Sequence, residues 1–95
     1  MYTVETLLTA IKGKEEDVEN ELRQIVPLAR TEKGNFIFIA HRSHEDPCVF
    51  LTYERYGNEE SFNSHKSSPH MQSFFSTIYP MLDKPPQNTI YESLD

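Results

Sequence analysis

The stretch YERYGNEESFNSHKSSPHMQSFF, residues 53–75, sets titratable side chains among aromatic rings. His65 and His70 flank a Ser67-Ser68-Pro69 joint, and Tyr53, Glu54 and Tyr56 lie just upstream. Histidine is the side chain that titrates near neutral pH without help, so His65 is a candidate acid or base. Its plainer reading is a polar residue at a helix C-terminus, where a cation is mildly favoured. His70 falls just inside a helix start, where positive charge is unwelcome, so it is expected neutral and hydrogen bonded, or exposed. Glu54 sits mid-strand and shares a face with Thr52 and Tyr56. Buried without a partner it would cost several kcal/mol. His41 or Arg42 on the neighbouring strand is the expected rescue. Tyr53 and Tyr56 either pack in a core or interface with bonded hydroxyls, or stack on a planar ligand.

Other chemistries find little support. His65 and His70 are five apart across a helix break, so they do not share a face as an i, i+4 pair would. Zinc needs three or four converging ligands, and no metal site is expected. Three glycines in the whole chain leave no phosphate-cradling loop, so no bound dinucleotide or flavin is expected. No G-x-S-x-G nucleophile elbow is present. Cys48 is the one cysteine, in a loop with nothing to activate it, and a lone thiol suits a reducing compartment.

The elements that must position these residues come in a clear order. Residues 2–11 read as a strand ended by Gly13. Residues 14–30 read as a helix, with Glu15, Glu16 and Asp17 at its positive end. Val18, Leu22, Ile25, Val26 and Ala29 form its apolar stripe. Pro27 removes a donor and predicts a kink or an early end. Gly34 is free to take a positive φ in the turn that follows. Residues 35–42 and 48–56 form a hairpin of strands. A short helix, EESFNSH, is capped by Asn58. Ser68 and Pro69, as N-cap and N1, start another, whose face carries Met71, Phe74, Phe75, Ile78 and Leu82. Residues 83–88 are a loop and 89–93 a last strand. The order β-α-β-β-α-β predicts an α+β, ferredoxin-like domain over residues 1–95, an antiparallel four-stranded sheet with helices on one face. The run Phe36 to Ala40 is apolar on both faces. A bare apolar sheet face of several hundred Å2 is unusual on a monomer, so a two-fold homodimer, sheet against sheet, is expected.

Composition agrees with a small globular domain: 95 residues, 37% hydrophobic and 25% charged. A net charge of −6, with nine scattered basic residues, argues against a nucleic-acid partner. No apolar run approaches the ~20 residues that span a bilayer. The first residues lack the basic and small-residue marks of a signal peptide, so a cytoplasmic location is expected, without a membrane partner.

The spaced residues taken together resemble the antibiotic biosynthesis monooxygenase (ABM) domain of the dimeric α+β barrel superfamily. Tyr53-Glu54-Arg55-Tyr56, then Glu60-x-Phe62-x-x-His65, then Ser68-Pro69-His70 and Phe74 are similar to the family's YE-x-W/Y … F-x-x-H-x-x-S-P-H-x-x-F signature. Lys12-Gly13-Lys14 and Glu32-Lys33-Gly34-Asn35 resemble its turns, so the likeness covers essentially the whole chain. It implies a small pocket between sheet and helices, and quinol or anthrone oxidation by O2 with no metal, flavin or haem. On that reading His65 is the base or acceptor, with Glu54 and Tyr53 beside it in the reaction. Tyr56, His70, Lys66 and His41 hold or orient substrate, and Phe62, Met71, Phe74 and Phe75 supply an apolar wall. Haem-degrading relatives carry an asparagine and a histidine where Thr6 and Phe75 stand here, which argues against haem. A further relative, which isomerises a phosphorylated quorum-signal ketone, has a histidine-lysine pair similar to His65-Lys66. That isomerase, and a non-catalytic small-molecule-binding dimer, are the alternative readings.

Overall fold

The computed structural model describes residues 1–95. Strand β1 (Tyr2–Thr9) leads to helix α1 (Glu15–Ala29), then to strands β2 (Asn35–Arg42) and β3 (Val49–Tyr56). Helices α2 (Glu59–Ser67) and α3 (Pro69–Ile78), a 3-10 turn at Tyr79–Met81 and strand β4 (Gln87–Glu92) complete the chain. The four strands form one antiparallel sheet in the order β2-β3-β1-β4. This is the expected ferredoxin-like α+β fold, with its second helical segment broken in two at Ser68. The break follows from the chemistry of that residue. Ser68 is extended, its hydroxyl accepts from the Met71 N–H, and Pro69 has no N–H to continue the ladder.

Element ends differ from expectation for local reasons. β1 stops at Thr9, because Ala10 and Ile11 turn to bond Cys48 and Met81 instead. β4 begins two residues early, because Gln87 and Asn88 find partners in Leu7 and Thr6. α1 runs to Ala29, so Pro27 lies within its last turn and the helix ends soon after. No helix is long and apolar enough to cross a membrane.

Alternation along the strands sorts the sheet into two faces. Leu8, Phe38 and Phe50 point to the helices and are buried with Leu22, Ile25, Met71, Phe74 and Ile78. Burying such side chains stabilises by about 1.5–3 kcal/mol each. A smaller cluster of Val4, Tyr56 and Phe62 lies at the end of the sheet near α2. The opposite face carries Leu7, Ile37, Ile39, Leu51, Tyr53 and Tyr91, and no helix packs on it. Within one chain the second face of β2 is open to solvent: Ile39 is 41% exposed, and Phe36, at the start of the strand, 63%. Phe36 sits at a register shift that leaves it without a partner across the sheet.

Two glycines adopt positive φ, Gly13 at 99° and Gly34 at 91°. They differ in surroundings. A Cβ on Gly13 would meet nothing, whereas one on Gly34 would lie 2.9 Å from the Ser61 Cβ and closer still to its Oγ. Gly34 therefore lets α2 approach the loop before β2. Gly34→Ala is expected to cost about 2 kcal/mol in urea unfolding, clearly more than Gly13→Ala, which carries only the backbone strain. Equal losses would show that the close approach to α2 is unimportant.

Candidate active site

Glu54 lies on the helix side of β3 and is 3% exposed. Its neighbours across the sheet are Phe38 and Val4, neither of which can hydrogen bond through its side chain. The expected rescue by His41 or Arg42 is therefore corrected. His41 pairs with Leu51 on the uncovered face, and Arg42 pairs with Phe50 and reaches Glu16 and Glu19. Glu54 is instead held by hydroxyls. Tyr56 donates to Oε1 at 2.6 Å, and Thr52 donates to Oε2 at 2.7 Å. Thr6, from β1, lies 3.0 Å from Oε2 and 2.7 Å from the Asn88 amide. One hydroxyl has one hydrogen, so both contacts are made when the amide turns its NH2 to Thr6 and Thr6 donates to Glu54. Three donors converging on one group suit an ionised carboxylate, which only accepts.

His65 stands between two carboxylates. Its Nδ1 is 2.7 and 2.9 Å from the two oxygens of Glu32, in the turn before β2. Its Nε2 is 3.7 Å from Glu54 Oε1. A carboxylate accepts, so Nδ1 carries the hydrogen, and in the neutral imidazole the lone pair is then on Nε2. The ring is 4% exposed and packed by Phe38, Tyr56 and Phe62. On its far side Glu32 is met by His70 Nε2 at 2.5 Å. His70 is thus hydrogen bonded at the start of α3, as its position predicts.

A cavity of about 40 Å3 opens beside this network. Glu54, His65, Phe62, Met71, Phe74, Phe75 and Lys66 all line it, with Phe38, Thr6, Thr52 and Asn88 among the remainder. Lys66, Phe75 and Asn88 also line an open groove of about 720 Å3 that runs past Tyr79 and Lys84. Those three side chains are therefore the cavity's mouth. The Lys66 ammonium sits 4.7 Å from the centre of the Phe62 ring.

The structure brings most of the predicted residues together and separates four. Tyr53 points to the uncovered face, opposite Glu5 and Ile39, and His41 is exposed there too. Neither reaches the cavity. Tyr56 is fully buried behind Glu54, and His70 lies behind Glu32. Sequence reasoning missed Glu32, Thr6, Thr52 and Asn88 as parts of the network. Glu32 had a signal in the E-x-G turn, but nothing local says that this turn meets α2. No group of three or more His, Cys, Asp or Glu side chains is arranged to hold a metal ion. Desolvation and the Glu15 charge push the Cys48 thiol up, the opposite of activation.

The fold and this site define a ferredoxin-like α+β domain with a small cavity between sheet and helices. The profile of the antibiotic biosynthesis monooxygenase family matches residues 1–77, and the chain belongs to that family. A solved structure from Nitrosomonas europaea is 25% identical, with a TM-score of 0.96 and full coverage of both chains. PA3566 from Pseudomonas aeruginosa is 23% identical at a TM-score of 0.92, over 99% of this chain and 94% of its own. Rv0793 from Mycobacterium tuberculosis is 19% identical, also at 0.92, over 99% and 95%. These last two share the fold. No curated protein matches.

Burial, reinforced by the Glu54 charge and the hydrogen bond to it, pushes the Tyr56 phenol far above its ordinary value. Tyr56 keeps its proton and serves as a donor. Tyr56→Phe is expected to cost about 1.5–3 kcal/mol near neutral pH, the usual worth of a hydrogen bond to a charge. The folded value is the raised one, so this contribution is fully present below the unfolded phenol's value of about 10. Above it the unfolded chain releases a proton that the fold retains, and stability falls. Urea unfolding across pH 8–11 should show wild type and Tyr56→Phe converging above about pH 10; a constant gap would contradict the assignment.

Proposed function

We propose that the chain is a cofactor-independent monooxygenase acting on a small planar quinol or polyphenol with O2. The observation that carries this reading is His65. Glu32 fixes its Nδ1–H, and its Nε2 lone pair lies beside Glu54 at the wall of an apolar cavity. Such a base takes a phenolic proton, and the electron-rich anion reduces O2 directly. The balance closes without another reductant: one oxygen atom enters the product as a carbonyl, the other leaves as water, and the substrate supplies the hydrogens and electrons. Phe62, Met71, Phe74 and Phe75 keep the site dry, which strengthens its electrostatics. Glu54 orients the substrate or the His65 ring. The 40 Å3 cavity admits the reacting edge of a ring, and the remainder lies in the outer groove past Lys66, Phe75 and Asn88.

The uncovered sheet face supports a homodimer in which Leu51, Ile39 and Tyr53 pack against a second copy. Tyr53 then belongs to the interface and not to the reaction. A second reading, isomerisation of a small phosphorylated ketone, is favoured by Lys66 at the mouth, where an ammonium can meet an anionic group. It would use the same base.

Oxygen uptake by chelator-treated protein with dihydroxynaphthalenes, anthrones and quinols is the test. Uptake well above autoxidation is expected, falling by about 10²–10⁴-fold in His65→Ala with the fold retained. Ligand affinity without turnover would favour a binding protein, and a tightly held cofactor in the purified protein would overturn the cofactor-free chemistry. Leu51→Glu is expected to convert the dimer to monomer in sedimentation analysis, with the native circular dichroism kept.

A further inference from the structure

His65 is 4% exposed, and a base at that depth must exchange its protons with water on every cycle. The cavity side gives His65 no hydrogen-bonded route: its bonded polar lining, Glu54, Thr6, Thr52 and Asn88, stops 3.7 Å short of Nε2. The other side does. Glu32 Oε2 lies 2.9 Å from His65 Nδ1 and 2.5 Å from His70 Nε2, so one oxygen touches both rings. The His70 side chain is 25% exposed, against 3% for His65 and 12% for Glu32. Exposure thus rises along the chain from buried base to helix surface.

We infer that Glu32 and His70 form the proton port of His65, with His70 as the group that hands protons to water. In the observed contact Nε2–H donates to Oε2; the transfer runs from the Nδ1–H tautomer, which presents a bare Nε2 and which water at the partly exposed ring supplies. His65 takes the substrate proton at Nε2 and gives its Nδ1 proton to Glu32 Oε2. Oε2 passes that proton to His70 Nε2, and the Nδ1 proton of His70 leaves to water. One proton enters, one leaves, and no net charge stays on His65. The reverse sequence returns a proton to Nδ1 when Nε2 gives its own to the reaction intermediate. His70 and Glu32 are positioning and relay groups here, since neither lines the cavity. Glu54, Tyr56 and Lys66 are the other titratable groups around His65; the first two are engaged with each other, and Lys66 lies over Phe62.

The inference builds on His65 as the base, but its test needs no substrate, so the two ideas fail separately. Solvent exchange of the His65 ring N–H would be followed by nitrogen-15 NMR in the full chain. His70→Ala and Glu32→Gln are expected to slow it at least about tenfold, since neither a methyl nor an amide relays a proton. Added imidazole should restore the rate in His70→Ala and not in Glu32→Gln, a response that a merely structural role would not produce. Unchanged exchange in either folded variant would overturn the port, because the protons would then be moving through the cavity mouth. Should His70→Ala fail to fold, His70→Gln, which keeps a donor for Glu32, carries the same expectation of slowing.

Discussion

A carboxylate at the centre of a sheet is an expensive choice in so small a core, and the arrangement around Glu54 follows from it. An unpaired buried charge costs several kcal/mol. No lysine or arginine pairs with it, and the His65 Nε2, at 3.7 Å, lies beyond hydrogen-bond distance. Three hydroxyls, from Thr6, Thr52 and Tyr56, do the work through short bonds from two strands. This explains why threonine occupies adjacent core positions on β1 and β3, where an aliphatic residue would pack as well. It also explains why Tyr56, the largest fully buried side chain, keeps its hydroxyl inside. The hydroxyls leave Glu54 charged and unmoving, so its field acts on His65 and on whatever enters the cavity.

His65 experiences that field from one side and Glu32 from the other. The two carboxylates play different parts because their partners differ. Glu54 is saturated by neutral donors and is fixed. Glu32 is shared between two imidazoles and touches the more exposed one. The ring between them has its Nδ1 hydrogen fixed by Glu32 and also lines the largely apolar cavity.

Much of this fold was legible in the sequence because its signals are local. Ser68 and Pro69 announce a helix start, Gly34 a left-handed turn, and the alternation from Val49 to Tyr56 a half-buried strand. The cavity wall was legible too, since Met71, Phe74 and Phe75 fall on one helix face. The network was harder to read, because it depends on register. Whether Glu54 faces His41 or Phe38 is decided by the register of the β2–β3 hairpin, set at the turn that pairs Arg42 with Phe50, which no local pattern reveals. Alternation along the same strand sends Tyr53 to the uncovered face, though it is adjacent to Glu54 in sequence. Glu32 and His65 are 33 residues apart and meet only because two loops close on each other, through the Gly57 N–H to the Gly34 carbonyl.

That closure gives Gly34 a standing its chemistry hides. It has no side chain and touches no substrate, yet its missing Cβ is what lets Ser61, and with it the helix that carries His65, draw up to Glu32. Positions 34 and 61 therefore cannot drift independently. A lineage that enlarges one must shrink or re-route the other, or lose the contact that defines the histidine. The history of such a pair would be written as paired change at sites that no assay of catalytic groups would single out.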